Sequence, residues 1–308
     1  MNHTLPAWIG IDWGTTNVRV WGVSATGEIL VRHDSEKGMG RLTPDLYPEV
    51  LAGLVEGVFD TENPCPVVIC GMAGARQGWR EAAYLDVPAD LSLMGARAVA
   101  VEVPTLGLSA RILPGVCQSG TGNQDVMRGE ETQLLGLSLL KPGFAGAVCM
   151  PGTHSKWAQI DGSTLNRFST VMTGEIFDVL SHHSVLRHSV LGATDTEQQA
   201  EGFHQGVEQG AADPARLTAR LFKVRAAALL DGRSAAWCSG YLSGLLIGTE
   251  IGSHLDWIVN GRIPIVGGRN LSRLYADAFS HVGVKAEIID AEAATLRGLQ
   301  SALQQIRG

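Results

Sequence analysis

The chain has 308 residues, 45% hydrophobic and 18% charged, and its 24 Lys+Arg against 31 Asp+Glu give a formal net charge of -7. That length exceeds the usual reach of one hydrophobic core and predicts two domains, while the composition excludes a disordered chain. The acidic balance opposes non-specific attraction to nucleic acid, so an anionic substrate would have to be held by a few local donors.

At the N-terminus no basic segment runs into an apolar stretch and cleavage site, so the expected location is cytoplasmic. Two strands at residues 8–11 and 18–23 bracket a tight turn, DWGTTN at 12–17, and a third strand is expected at 28–32. Leu46, Val50, Leu54 and Val58 have helical spacing across 44–59, leading into an apolar strand at 66–70. An echo of the opening appears midway. Residues 147–150 run into PGTHSK at 151–156 and return at 157–160, so strand, Gly-Thr turn and strand recur and suggest two domains of related build. Helices are predicted at 175–183, 215–230 and 235–259. In the last, Gly240, Gly244, Gly248 and Gly252 form one ridge that permits close packing. That stretch also carries Glu250, His254 and Asp256, which fits a buried helix better than a membrane span. The chain then alternates: strand 263–266, a turn through Gly267 and Gly268, helix 271–282, strand 285–289, helix 291–306.

Five scattered cysteines without a C-x-x-C pair suggest reduced thiols rather than a disulfide framework or a zinc site. His182, His183 and His188 do not make a metal set, because adjacent histidines on a helix point about 100° apart. The residues with phosphate chemistry are in the turns. Asp12 followed by Gly14, Thr15, Thr16 and Asn17 offers amides and hydroxyls to phosphate oxygens beside a carboxylate suited to magnesium through water. An ordinary hairpin turn is the plain alternative. Gly152, Thr153 and His154 form the second such turn, and VGGRN at 266–270 has the form of a nucleotide-binding turn at a helix N-terminus.

Taken in order, these elements resemble the actin, hexokinase and sugar-kinase superfamily. GMAGARQGW at 71–79, VMRGEETQ at 126–133, MPGTH at 150–154 and TVMTGE at 170–175 further resemble the 2-dehydro-3-deoxygalactonokinase family over essentially the full length. The resemblance implies an α/β, two-domain actin-like ATPase (ribonuclease H-like) fold with an interdomain cleft. Residues 1–135 would carry the sugar-acid site and 136–308 the nucleotide site. It also implies transfer of the ATP γ-phosphate to the terminal hydroxyl of a 2-oxo sugar acid, with ATP and Mg2+ required. A positioned carboxylate typically contributes about 10²–10⁴-fold by taking the hydroxyl proton. Asp125 is the first candidate and Glu130 the second; their plain alternatives are a turn residue and a carboxylate complementing a helix dipole. Arg76, with Gln77 and Trp79, is expected at the substrate carboxylate, with Arg128 as the second guanidinium. Glu175 is placed on the substrate side, and Lys156 and His154 would offset charge on the transferred phosphoryl. A surface arginine, a solvated lysine and a hydrogen-bonded turn histidine are the plain alternatives. Trp79, Trp157 and Trp257 are expected to pack, Trp79 alone being placed to line the substrate pocket as well. A homodimer is compatible with the sequence but not specified by it. Rival readings are a kinase for another sugar or sugar acid, or an actin-like ATPase or assembly protein without a small-molecule acceptor.

Overall fold

The computed structural model describes residues 5–58, 60, 62, 64–192 and 194–307. The chain divides into two compact units: Met1–Phe144 with Ile160–Arg167 and Ala291–Gly308, and Ala145–Gln159 with Phe168–Asp290. The expected domains 1–135 and 136–308 were contiguous stretches. The observed units are not, because two later segments pack with the first.

In the first unit β1 (Trp8–Trp13), β2 (Val18–Val23) and β3 (Ile29–Ser35) form a meander, followed by α1 (Tyr47–Leu54) and β4 (Val67–Gly71). Two short strands, β5 (Leu85–Asp86) and β6 (Ala89–Asp90), precede β7 (Val99–Val103), β8 (Leu108–Ile112), β9 (Val116–Gln118), β10 (Asp125–Met127) and α2 (Glu130–Leu140). The main sheet has the order β3-β2-β1-β4-β8-β7. β1 runs antiparallel to β2 and parallel to β4. One face buries Ile9, Ile11 and Trp13 against Tyr47 and Leu51 of α1, as a central strand covered on both sides requires. Helix α1 is shorter than predicted. Residues 44–46 form a 3-10 turn, and the helix gives way before Gly57, whose φ is 73°. Val55 and Val58 still reach the interior; Phe59, the predicted last residue, lies outside the described residues.

The second unit contains β11 (Ala145–Met150), β12 (Ser155–Asp161), β13 (Thr164–Val171), α3 (Thr173–His183), α4 (Arg187–Val190), α5 (Thr196–Ala212), α6 (Leu217–Leu230), α7 (Ala235–Gly252), β14 (Arg262–Gly267), α8 (Arg269–His281) and β15 (Lys285–Asp290). The tip of the β12–β13 hairpin, residues 160–167, counts with the first unit, where Thr164 and Leu165 pair with β6. α9 (Ala291–Arg307) also belongs there. The strand order β13-β12-β11-β14-β15 repeats β3-β2-β1-β4-β8, so the sequence echo marks two units of the same build. This is the actin-like ATPase arrangement.

The glycine ridge of α7 faces α5. A Cβ on Gly244 would lie 2.0 Å from the Phe203 carbonyl oxygen, and one on Gly206 of α5 would lie 2.3 Å from that of Tyr241. α7 ends at Gly252 rather than 259, because His254 leaves the helix and its Nδ1 pairs with the Glu250 carbonyl at 2.9 Å. Among the described residues no helix is long and apolar enough to cross a membrane.

Candidate active site

In the first unit the candidate residues gather where β1 and β4 end, the strand ends at which open α/β sheets bind ligands. Asp12 lies opposite Arg19 in the β1–β2 register, with the guanidinium 3.7 Å from its carboxylate. The Cys70 thiol on β4 points at the other carboxylate oxygen, 3.9 Å away. About a fifth of the Asp12 side chain stays open, and the loss of water around the rest raises its pKa against the opposing pull of Arg19. The following turn closes with Gly14 N–H donating to the Asn17 carbonyl at 2.8 Å. A strap that sequence reading overlooked, Gly38-Met39-Gly40, then occupies the turn's carbonyls: Gly38 donates to Thr16, Met39 to Gly14 and Gly40 to Thr15, at 2.8–3.0 Å. Gly38 has to be glycine, since a Cβ would sit 2.3 Å from the Thr16 carbonyl carbon. Among the described residues the Thr15 and Thr16 amides donate to no protein acceptor, and both side chains are exposed.

β4 ends at Gly71, whose φ of 87° turns the chain away beside the Trp13 carbonyl. The 71–79 loop exposes Arg76 and Gln77, and neither side chain bonds to a described protein group. Trp79 packs. Its ring stacks on Tyr47 at 5.8 Å and meets Trp13 edge-on, so it belongs to the packing around α1.

Asp125, half-buried on β10, accepts its neighbour Val126 N–H at 2.8 Å. Arg128, the expected second guanidinium, is buried. It is 8% exposed; Nη2 donates to the Ala82 carbonyl at 2.8 Å, the guanidinium covers the Tyr84 ring at 4.3 Å, and the buried Nε and Nη1 have no partner among the described residues. Packed against Gly74, it braces the loop from within. At the start of α2, Glu130 accepts Arg128 N–H at 3.2 Å. Glu131 is fully buried, and both its oxygens accept Gly129 N–H at 2.8 and 2.7 Å. Burial first, then the charge of Glu130, pushes the Glu131 carboxyl up to about 8. Sequence reading missed Glu131, since nothing in the run Glu130-Glu131 distinguishes a half-exposed carboxylate from a buried one.

In the second unit the Gly152-Thr153 turn meets the start of α3. Glu175 N–H donates to the Thr153 carbonyl at 3.0 Å, and the Glu175 carboxylate is hydrogen-bonded to His154 Nε2. Glu175, expected on the substrate side, therefore sits at the Gly152-Thr153 turn. Lys156 is buried on β12, not a solvated strand residue. Beside the turn lies a cavity of about 580 Å³ whose lining combines Gly152, Thr153 and Thr173 with the apolar side chains of Leu246, Leu271 and Leu274. The β14–α8 turn contributes through the helix: α8 starts at Arg269, two residues earlier than predicted. Gly268 caps it, and Gly267 and Gly268 are not among the residues lining the cavity.

A sequence model of the 2-keto-3-deoxy-galactonokinase family matches residues 12–302. The chain belongs to this family. The 2-dehydro-3-deoxygalactonokinase of Escherichia coli strain K12 is 39% identical over 297 residues, 96% of each chain. A protein of Rhizobium meliloti strain 1021 named "Probable 2-dehydro-3-deoxygalactonokinase" is 40% identical over 298 residues, again 96% of each. The crystal structure of a Sinorhizobium meliloti protein of corresponding description matches with a TM-score of 0.90 at 39% identity, covering 97% of this chain and 99% of that one. All four segments that carried the resemblance lie within the family match, which leaves only the ends of the chain outside.

Proposed function

We propose that this chain transfers the γ-phosphate of ATP to the terminal (C6) hydroxyl of 2-dehydro-3-deoxy-D-galactonate, a step of galactonate breakdown. The family match over residues 12–302 carries this reading. In the reaction the hydroxyl oxygen forms a bond to the γ-phosphorus, the bond from that phosphorus to the β–γ bridging oxygen breaks, and the hydroxyl proton passes to a carboxylate.

The unpaired amides of Thr15 and Thr16, with Gly14 and Asn17 shaping the turn, receive phosphate oxygens. Gly152, Thr153 and His154 form the second phosphate turn, Glu175 orients the His154 ring, and the apolar lining of the neighbouring cavity receives the nucleoside. Gly267 and Gly268 set the start of α8, which supplies part of that lining. Asp12, partly open at the end of β1, fits a magnesium ion held through water. Such an ion would neutralise charge on the β- and γ-phosphates. Arg76 and Gln77 bind the sugar acid, Arg76 by a bidentate pair with its carboxylate. Trp79 and Arg128 fix their loop from behind. Asp125 takes the hydroxyl proton, Glu130 being the second candidate, and the Lys156 charge lies on the phosphate-turn strand.

ADP release from MgATP tests the reading, with 2-dehydro-3-deoxygalactonate, its gluconate epimer, galactose and glycerol as acceptors. Only the 2-oxo acids should accelerate turnover. If none does while ATP still binds, the kinase reading fails. Arg76→Ala should raise the acceptor KM by roughly 10–100-fold with the KM for ATP unchanged, the size expected for one lost charged hydrogen-bond pair. Asp125→Asn should lower kcat by about 10²–10⁴-fold; if Glu130→Gln does so instead, Glu130 is the base.

A further inference from the structure

Beneath the second unit's cavity lies a buried carboxyl that the phosphate chemistry does not use. Glu250 is 2% exposed in the last turn of α7, among glycines and aliphatic residues. Its Oε1 accepts the Trp157 indole N–H at 2.9 Å; its Oε2 accepts the Tyr275 hydroxyl at 2.6 Å and the Thr173 hydroxyl as well. These donors come from β12, α8 and the first residue of α3. The Ser155 hydroxyl adds to these three, so neutral donors offset the burial of the carboxyl. Such a group is retained at a cost unless the arrangement it fixes is needed.

The bonds have a direction. An indole can only donate, and the two hydroxyls spend their protons on Glu250. Ser155 Oγ lies 3.1 Å from the Tyr275 hydroxyl oxygen, whose proton is committed, so Ser155 donates to it. Gly152 N–H in turn approaches Ser155 Oγ at 3.4 Å. A chain of donors thus runs from the Gly152 amide through Ser155 and Tyr275 to Glu250, and a second arm runs from Thr173. Gly152, Thr173 and Tyr275 all line the cavity. His254 closes the other side: its ring stacks on Trp157 at 4.6 Å, and its Nδ1 pairs with the Glu250 carbonyl.

We propose that Glu250 is a positioning residue for the nucleotide: by collecting Trp157, Thr173 and Tyr275 on one carboxyl, it holds the Gly152-Thr153 turn, the start of α3 and the middle of α8 as a single wall, and it turns the Thr173 and Tyr275 oxygens toward the cavity as acceptors. The inference rests on the kinase reading above. On that reading Glu250 touches neither substrate, and its removal should be felt by ATP and not by the sugar acid.

Glu250→Gln keeps the size of the side chain but has one acceptor oxygen and a donor where a second acceptor is needed. The Trp157 N–H cannot reverse, so the hydroxyls must. The KM for ATP should rise about tenfold, the effect of one misdirected hydrogen bond to a charged group, with the acceptor KM unchanged. Thr173→Val, which keeps the branched shape and removes one arm, should shift the same constant in the same direction, and it carries the test if Glu250→Gln does not fold. ATP titration of the wild-type protein without acceptor separates the two readings. If wild type binds ATP and a folded variant retains the wild-type KM for ATP, or both KM values rise together, the positioning role is overturned and the kinase reading stands. If wild type binds no ATP, the kinase reading falls and this inference with it.

Discussion

Glu131 shows how far a residue's chemistry can lie from its letter. Its neighbour Glu130 is half-exposed at the helix start, while Glu131 is fully buried on the side of Cys70, Thr132 and the Asp12 end of β1. Arg128 is the cation acting on it; Glu130 opposes ionisation, as does the low polarity of the site. With a folded pKa of about 8 against an ordinary 4.5, the folded chain keeps a proton that the unfolded chain has released throughout that interval. Stability must therefore fall as pH rises through the window and level off above about 8. Glu131→Gln cannot ionise, so its stability relative to wild type should improve steadily from about pH 5 to about pH 8 in urea unfolding. A difference that stays flat across that range would mean Glu131 is ionised throughout.

Among the elements, α5 and α7 separate what a sequence shows from what it hides. The α7 ridge was legible because four glycines at four-residue spacing interrupt a strongly apolar helix, and close packing is the only physical use for them. Its partner was not, although Gly202, Gly206 and Gly210 have the same spacing. α5 is polar elsewhere, and only Phe203 and Val207 add buried hydrophobic side chains to its face, so no apolar period announces a helix. Similar reasons divide the site. The turns at 12–17 and 151–154 could be read because strand, Gly-Thr and strand leave a local pattern. Strands β5, β6, β9 and β10 are two or three residues long and carry none. Nor can spacing show that Arg128 is buried while Arg76 is open, since burial is decided by Ala82 and Tyr84, more than forty residues away in the chain. The ridge also gives a contrast. Gly244→Ala places a methyl 2.0 Å from the Phe203 carbonyl oxygen and should destabilise the protein by about 1–3 kcal/mol by prying the helices apart. Gly53→Ala, on the open side of α1 with nothing within 4 Å, should stabilise by about 0.5–1 kcal/mol. Thermal unfolding of both variants checks the pair, and equal effects would mean the helices have room to move.

At the scale of the whole molecule, the division into units makes a claim that a linear reading could not. The first unit is finished by the last helix of the chain. Ala294, Leu299, Ala302 and Leu303 of α9 are buried. A Cβ on Gly136 would lie 1.8 Å from the Ala294 carbonyl oxygen, and one on Gly298 would lie 2.0 Å from that of Thr132, so α2 and α9 touch backbone to backbone. Leu299 covers Gly10 on β1, and Glu292 pairs with Arg32 at 3.0 Å. The two leucines alone represent about 3–6 kcal/mol of burial, a large share of the roughly 5–15 kcal/mol that keeps a domain folded. A chain ending at Asp290 should therefore lose the first unit, although it keeps all of residues 1–135. The second unit retains every segment assigned to it. Hydrogen exchange reads the two separately: amides of β1, β4 and α2 should lose protection in the shortened chain, while those of β11, β14 and α7 keep it. If β1 and α2 remain protected as in the full chain, α9 is an accessory and the first unit folds from its N-terminal stretch alone; if β11 and α7 lose protection as well, the two units fold as one.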